Sequence, residues 1–287
     1  LLMRTSSAGL PGTPAASGIQ SPDRALTFLV LGVDRVQSVA LADTVLIAHV
    51  PRGRDAVYLV SVPRDVRMAI PGHGVDKINS AYYLGGAGPK GAGLVRRTLT
   101  DATGLTFDGT VVVDYRAVRR LTDEVGGVRL CLATPVRSMH TRHQFPAGCQ
   151  SFTGAQAVDL LRQRYGMANG AYDRDRHGRQ FVQALVQRAD SMGLAHNPML
   201  AERLLRSAGP GLTVDTGELA LTDLLGTVIR LTGAPVRGIG AASPSVPGIR
   251  EQGYEELYPG VREQLFAAVR EDRLDQWLAA HPTYADR

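Results

Sequence analysis

The sequence predicts an α/β fold: a three-layer α-β-α arrangement with a central mixed sheet, in a single domain. Three observations carry this. Short apolar runs of strand length alternate with stretches whose apolar residues recur at helical spacing. A length of 287 residues with 44% hydrophobic content suits roughly one or two domains with a sizeable core. No internal repeat is evident, and no apolar run is long enough to span a bilayer.

Residues Ser6 to Pro22 are mostly Gly, Ser, Ala, Thr and Pro without periodicity, and read as a linker or tail; the domain begins near Arg24. Ala25 to Leu31 is a buried strand ending at Gly32, with Asp34 just past it. Asp43 to Val50 is a second strand and Ala56 to Val62 a third, closed by Pro63-Arg64-Asp65. The turn Pro51 to Asp55 makes these two a hairpin. If the first two strands are neighbours, Asp34 and Asp43 approach each other at one end of the sheet. Two carboxylates beside a phosphorylated ligand suit Mg²⁺, which keeps phosphate or water in its remaining positions.

After a turn at Pro71 to Gly74, the stretch Asp76 to Leu84 reads as helical, followed by a Gly-rich loop and a helix over Ala92 to Thr103. That loop is neither a dinucleotide fingerprint, because Pro89 removes a backbone donor, nor a phosphate loop, because Gly91 follows Lys90. Thr110 to Asp114 is a strand, Arg116 to Glu124 a helix and Val128 to Leu132 a strand. Arg137 to Gly148 reads as a polar loop whose His140 and His143 lack the carboxylate expected of a metal site. A helix over Thr153 to Leu161 follows. Further helices are expected at about 181–192, 199–207, 217–231, 261–270 and 274–280, with a strand at 236–240.

Five arginines crowd the segment after Leu161: Arg162, Arg164, Arg174, Arg176 and Arg179. Like charges this close suit an anion between them, and the planar guanidinium pairs with phosphate or carboxylate. If extended, Arg162 and Arg164 share a face. Asp173 or Asp175 can cap a second helix, placing Arg176, Arg179 and Gln180 together in its first turns. The alternative is a solvated loop of Arg–Asp pairs. Net charge is +5, almost all of it from arginine, since Lys77 and Lys90 are the only lysines. The arginines are spread out and no helix carries a basic stripe with interleaved aromatics, which argues against nucleic acid. Cys131 and Cys149 are the only cysteines, either a disulfide or two buried thiols, and too few for a four-cysteine zinc site.

In their order and spacing these pieces resemble the LytR-CpsA-Psr family of bacterial cell-envelope proteins, from about Ala25 to Arg270. The signposts are Leu31-Gly-Val-Asp34, Ala42-Asp-Thr44, Ser61-Val-Pro-Arg-Asp65, Asp76-Lys-Ile-Asn79 and Asp123-Glu-Val-Gly-Gly-Val128. Pro146-Ala-Gly-Cys-Gln150, Thr153-Gly-Ala-Gln-Ala157, Arg162-x-Arg164, and Asp173 with Arg176-x-x-Arg179-Gln180 complete them.

The resemblance implies an extracytoplasmic catalytic domain over 25–287, joined by a linker over 1–24 to an N-terminal membrane anchor. It implies a transferase moving an anionic glycopolymer from a polyprenyl-diphosphate carrier to peptidoglycan at the membrane surface, with a hydrophobic tunnel for the polyprenyl chain. It implies Mg²⁺ (or Mn²⁺) on Asp34 and Asp43, and Arg64, Arg162, Arg164, Arg176, Gln180 and Lys77 around the diphosphate. Arg64, Asp43 and Asp173 are the expected catalytic residues, with Asp43 or Asp173 as base, and Cys131–Cys149 is the expected disulfide. The chain departs from the family pattern at Leu41, where an arginine is usual, and at Arg35, one place early; Arg35 or Arg174 could make up the phosphate contact. The alternatives are a polyprenyl-phosphate binding module without turnover and a polyprenyl-diphosphate phosphatase.

Overall fold

The computed structural model describes residues 21–34, 39–163, 165–242 and 247–286. Most of the expected linker, together with Arg35 and Arg164, lies outside the described residues.

Strands β1 (Leu26–Asp34), β2 (Leu41–Val50) and β3 (Val57–Val62) come first, followed by a hairpin of β4 (Arg67–Ile70) and β5 (Gly74–Lys77). Helices α1 (Ser80–Leu84) and α2 (Gly88–Thr103) lead to β6 (Gly109–Asp114), α3 (Tyr115–Glu124) and β7 (Val128–Leu132). The short strands β8 (Val136–Arg137), β9 (Gln144–Phe145) and β10 (Gly148–Phe152) precede α4 (Gly154–Leu161) and the long α5 (Ala171–Ser191). Then come α6 (Pro198–Ala208), β11 (Leu212–Asp215), α7 (Leu221–Arg230) and β12 (Val236–Gly240). The hairpin β13 (Ile249–Glu251) and β14 (Tyr254–Glu256) and helices α8 (Pro259–Arg270) and α9 (Leu274–Ala280) follow.

The central sheet has the order β11-β6-β1-β2-β3-β12. β2 is antiparallel to β1 and to β3, while β6 is parallel to β1 and β12 to β3. β1, β3, β6 and β12 therefore run the same way, and their carboxyl ends share one edge, where ligands of open α/β sheets collect. The mixed sheet and the β2–β3 hairpin are as the sequence predicts.

Strand alternation divides the two faces. Leu29, Leu31, Val33, Val45, Ile47, Tyr58, Val60, Val62 and Ile239 join α2, α8 and α9 in the main core. The residues between them turn the other way. Val50, Val57, Leu59 and Val236 line an apolar cavity of about 390 Å³, closed on its far side by α3, α5, α6 and α7. A second apolar cluster joins β7, β10, α3, α4 and Phe181 of α5.

Several elements differ from expectation. Asp76 and Lys77 are strand, not helix: they pair with Met68 and Arg67 across a turn whose Gly72 and Gly74 take φ of 80° and 77°. The polar loop over 137–148 contains the ends of the small β8–β9 hairpin. β4, β11, β13 and β14 are short strands that sequence periodicity did not reveal. α5 begins at Ala171, a few residues before the start that a cap at Asp173 or Asp175 would set, and carries Arg174, Arg176 and Arg179. Cys131 and Cys149 face each other across β7 and β10 and form a disulfide with Cα atoms 3.9 Å apart. Val128, Leu130 and Leu132 point inward, so the bond lies on the outer face of its ribbon.

Candidate active site

The carboxyl edge of the sheet carries the two predicted carboxylates. β1 and β2 pair in register until Gly32 meets Thr44; then Val33 meets Ala42 and Asp34 meets Leu41. Asp43 is the extra residue of a β-bulge. The bulge lets Ala42 and Val45 both reach the main core and turns Asp43 out of it, the use bulges often have beside functional sites. A Cβ on Gly32 would lie 2.9 Å from Thr44 Cβ, so glycine permits this close approach. On the other side of Thr44, a Cβ on Gly178 would lie 3.6 Å from Thr44 Cγ2, so α5 packs close to β2 at this point. The arginine segment is thereby brought against the ends of β1 and β2.

Asp34 and Asp43 are buried and line one pocket with Tyr115, His140, Leu161, Arg162 and Arg174. Its volume is about 130 Å³. Arg162 Nη2 stands 3.5 Å from Asp34 Oδ2, and the Arg162 guanidinium lies 5.7 Å from the centre of the Tyr115 ring. Arg64, just past β3, donates from Nη1 to Asp43 Oδ1 at 2.5 Å. Burial, then the charges of Asp43 and Asp34, pushes the Tyr115 phenol above its ordinary value, so it remains a hydroxyl donor. Among the described residues no third His, Cys, Asp or Glu joins the two carboxylates in a ligand cluster. Two carboxylates open to phosphate or water oxygens is a donor set that fits Mg²⁺ or Mn²⁺.

The other expected residues are distributed around this pocket. Lys77 Nζ lies 3.0 Å from Asp65 Oδ1, and Arg64 Nε 3.8 Å from Asp65 Oδ2, so Asp65 gathers both cations beneath the loop after β3. The Asn79 N–H donates to the Arg64 carbonyl at 3.2 Å and further fixes that loop. Asp173 is not the helix cap: Gly170 is. Its carboxylate instead accepts from the Asn169 backbone at 2.8 Å, from Asn169 Nδ2 at 3.1 Å and from Arg176 Nη2 at 2.8 Å. Asp175 lies within the helix. Arg162 ends α4 in helical conformation, φ −84° and ψ −7°, so it is not on an extended run.

Of the four described arginines of this segment, Arg179 stands apart from the pocket. Arg162 and Arg174 line the pocket, and Arg176 is held by Asp173. Arg179 is buried and donates to both carboxylate oxygens of Asp286 and to Ser61 Oγ, a structural clasp between α5, β3 and the chain's C-terminal region. Gln180, next along α5, has a buried Oε1 without a partner among the described residues. Tyr115 and His140 were not singled out as pocket residues. Tyr115 directly follows the carboxyl end of β6, a position the parallel strand order could have flagged. His140 is carried there by a hairpin pinned through Ser138 and Thr141 to buried Asp159, a contact far apart in sequence. Its Nε2 donates to the Arg162 carbonyl at 3.3 Å. His143 packs edge-on against Phe145 instead.

Fold and pocket define an α/β protein with carboxylates and arginines gathered at the carboxyl edge of a mixed sheet and an apolar cavity on the face covered by α3, α5, α6 and α7. The chain belongs to the LytR_cpsA_psr family, whose model matches residues 7–263. It is 35% identical over 209 residues to the probable cell wall biosynthesis protein LcpB of Corynebacterium glutamicum, a match covering 73% of this chain and 48% of that protein. The chain thus spans about half the length of this relative. It is 28% identical over 219 residues to the polyisoprenyl-teichoic acid–peptidoglycan teichoic acid transferase TagU of Oceanobacillus iheyensis, covering 75% of this chain and 68% of that one. The fold matches the LytR-Csp2A-Psr enzyme of Actinomyces oris at a TM-score of 0.66 and 21% identity, over 87% of this chain and 95% of the other.

Proposed function

We propose that this chain is the extracytoplasmic domain, over 25–287, of a membrane-anchored phosphotransferase that moves an anionic glycopolymer from a polyprenyl-diphosphate carrier to peptidoglycan. The observation that carries the reading is the shared pocket of Asp34, Asp43 and Arg162, with Arg64 bonded to Asp43. The name of the TagU relative supports the same chemistry. The segment over 1–24 is the expected link to an N-terminal anchor.

Phosphoryl transfer needs positioning and charge neutralisation more than covalent help. Asp34 and Asp43 would hold Mg²⁺ or Mn²⁺, which offsets charge on the diphosphate oxygens. Arg64, Arg162, Arg164 and Arg176, with Lys77 and Gln180, orient the diphosphate. The acceptor hydroxyl oxygen bonds to the sugar-side phosphorus. The bond to the bridging oxygen breaks, and polyprenyl phosphate leaves with it. The hydroxyl proton passes to a carboxylate, Asp43 or Asp173. The apolar cavity behind the sheet takes the polyprenyl chain.

The test follows a short polyprenyl diphosphate by mass spectrometry, with and without Mg²⁺. Cleavage that requires Mg²⁺ and falls at least 100-fold in Arg64→Ala supports the reading, and dependence on added acceptor separates transfer from hydrolysis. Binding without cleavage, even with acceptor present, overturns it in favour of a lipid-binding module.

A further inference from the structure

Arg174 is 6% exposed, and its Nε and Nη2 are buried without a hydrogen-bond partner among the described residues. Its ion-pair partner Asp175 lies 3.6 Å from Nη2, outside hydrogen-bond reach, and is buried as well. Leaving such donors unpaired is costly, and a buried arginine ordinarily spends its donors on carboxylates or carbonyls. Arg54 in this chain does so: it is 4% exposed and donates to the carbonyls of Pro51, Pro22 and Arg24 at 2.5, 2.7 and 2.8 Å and to Ser21 Oγ at 2.9 Å. Arg174 instead lines the pocket of Asp34 and Asp43.

The geometry points to Arg174 as a binding residue for the diphosphate: a buried guanidinium held ready by Asp175 whose free donors take phosphoryl oxygens. This rests on the transferase reading for the identity of the natural ligand, but not for the anion it predicts. Arg162 and Arg174 line the pocket beside the two carboxylates, and Arg64 bonds to Asp43 from the loop after β3; a divalent cation on the carboxylates would leave these guanidiniums to the diphosphate. Removing Arg174 withdraws one positive charge from beside the carboxylates: diphosphate binding weakens while divalent cation binding is kept.

The probe is inorganic pyrophosphate, titrated calorimetrically into the full chain with Mg²⁺ or with EDTA. The wild type is expected to bind, more tightly with Mg²⁺. Arg174→Gln, which keeps a polar side chain without the charge, should lose roughly 10- to 100-fold in pyrophosphate affinity, the loss expected when a charged partner is withdrawn. Mn²⁺ binding alone, read by paramagnetic resonance, should be unchanged or tighter. Arg174→Lys keeps the charge without the fork and should lose less; it carries the test if the glutamine variant melts early. A folded Arg174→Gln with wild-type pyrophosphate affinity overturns the proposal, as does a wild type that binds no pyrophosphate. If pyrophosphate binds through Arg174 but no polyprenyl substrate is cleaved, the anion site stands and the transferase reading falls.

Discussion

Two neighbours on α5 titrate in opposite senses. Burial pushes the Asp175 carboxyl from its ordinary 3.8 up to about 6. The folded state therefore favours its protonated form. Its contribution to stability is full below about pH 4 and is lost as pH rises through 6. Burial, then the charge of Arg176, pushes the His177 imidazole from 6.5 down to about 4. Its contribution is full above about pH 6.5 and is lost as pH falls through 4. Each two-unit shift is worth on the order of 3 kcal/mol, and between pH 4 and 6 the two slopes offset. His177→Gln should leave Asp175 alone, so that melting temperature falls by several degrees from pH 4 to 6. Asp175→Asn should make it rise over the same interval. Parallel curves for both variants and the wild type would refute this. Little of it is legible in the sequence: Asp175 and His177 look like surface charge, and they are buried in a helix that packs against β12, β7, β3 and β2.

At the scale of elements, the bulged β1–β2 pair and the disulfide ribbon show what sequence spacing reaches and what it misses. Apolar runs placed β1, β2, β3, β6, β7 and β12 within a few residues, because each is long enough for its burial pattern to be read. Strands of two to four residues, such as β8, β9 and β11, have no such pattern and exist because a neighbour pairs with them. Asp43 could be named from its motif, but its role as the bulge residue depends on register, which only pairing fixes. Cysteine spacing left a disulfide and free thiols equally open, and the resemblance favoured the bond. The β7–β10 register then places Cys131 opposite Cys149. The bond closes a short loop, and in the chain-entropy model Cys131→Ala with Cys149→Ala costs about 2–4 kcal/mol. The denaturation midpoint in urea should fall accordingly; an unchanged midpoint would mean that the ribbon holds without its clip.

Across the whole molecule, one sheet separates two unlike interiors. Its first face is packed solid against α2, α8 and α9, and its second borders a cavity where packing alone would have filled the space. In sequence the two look alike, since Tyr58, Val60 and Val62 differ from Val57 and Leu59 only in parity. Filling the cavity with Leu185→Trp should abolish binding of a long polyprenyl diphosphate and leave inorganic pyrophosphate affinity within about twofold, measured by calorimetry; loss of both would show that cavity and pocket are one site. The unbroken α5 sets how far apart they stand. It presents Arg174 to the pocket and Val182 through Ala189 to the cavity. At 1.5 Å per residue, these cavity positions begin about 12 Å and end about 22 Å along the axis from Arg174. A ligand anchored at its charged head must therefore reach a minimum distance before its tail finds any apolar wall. On the transferase reading the helix is a ruler: a molecule with the right headgroup and a tail shorter than this span is held by its headgroup alone and gains nothing from the cavity.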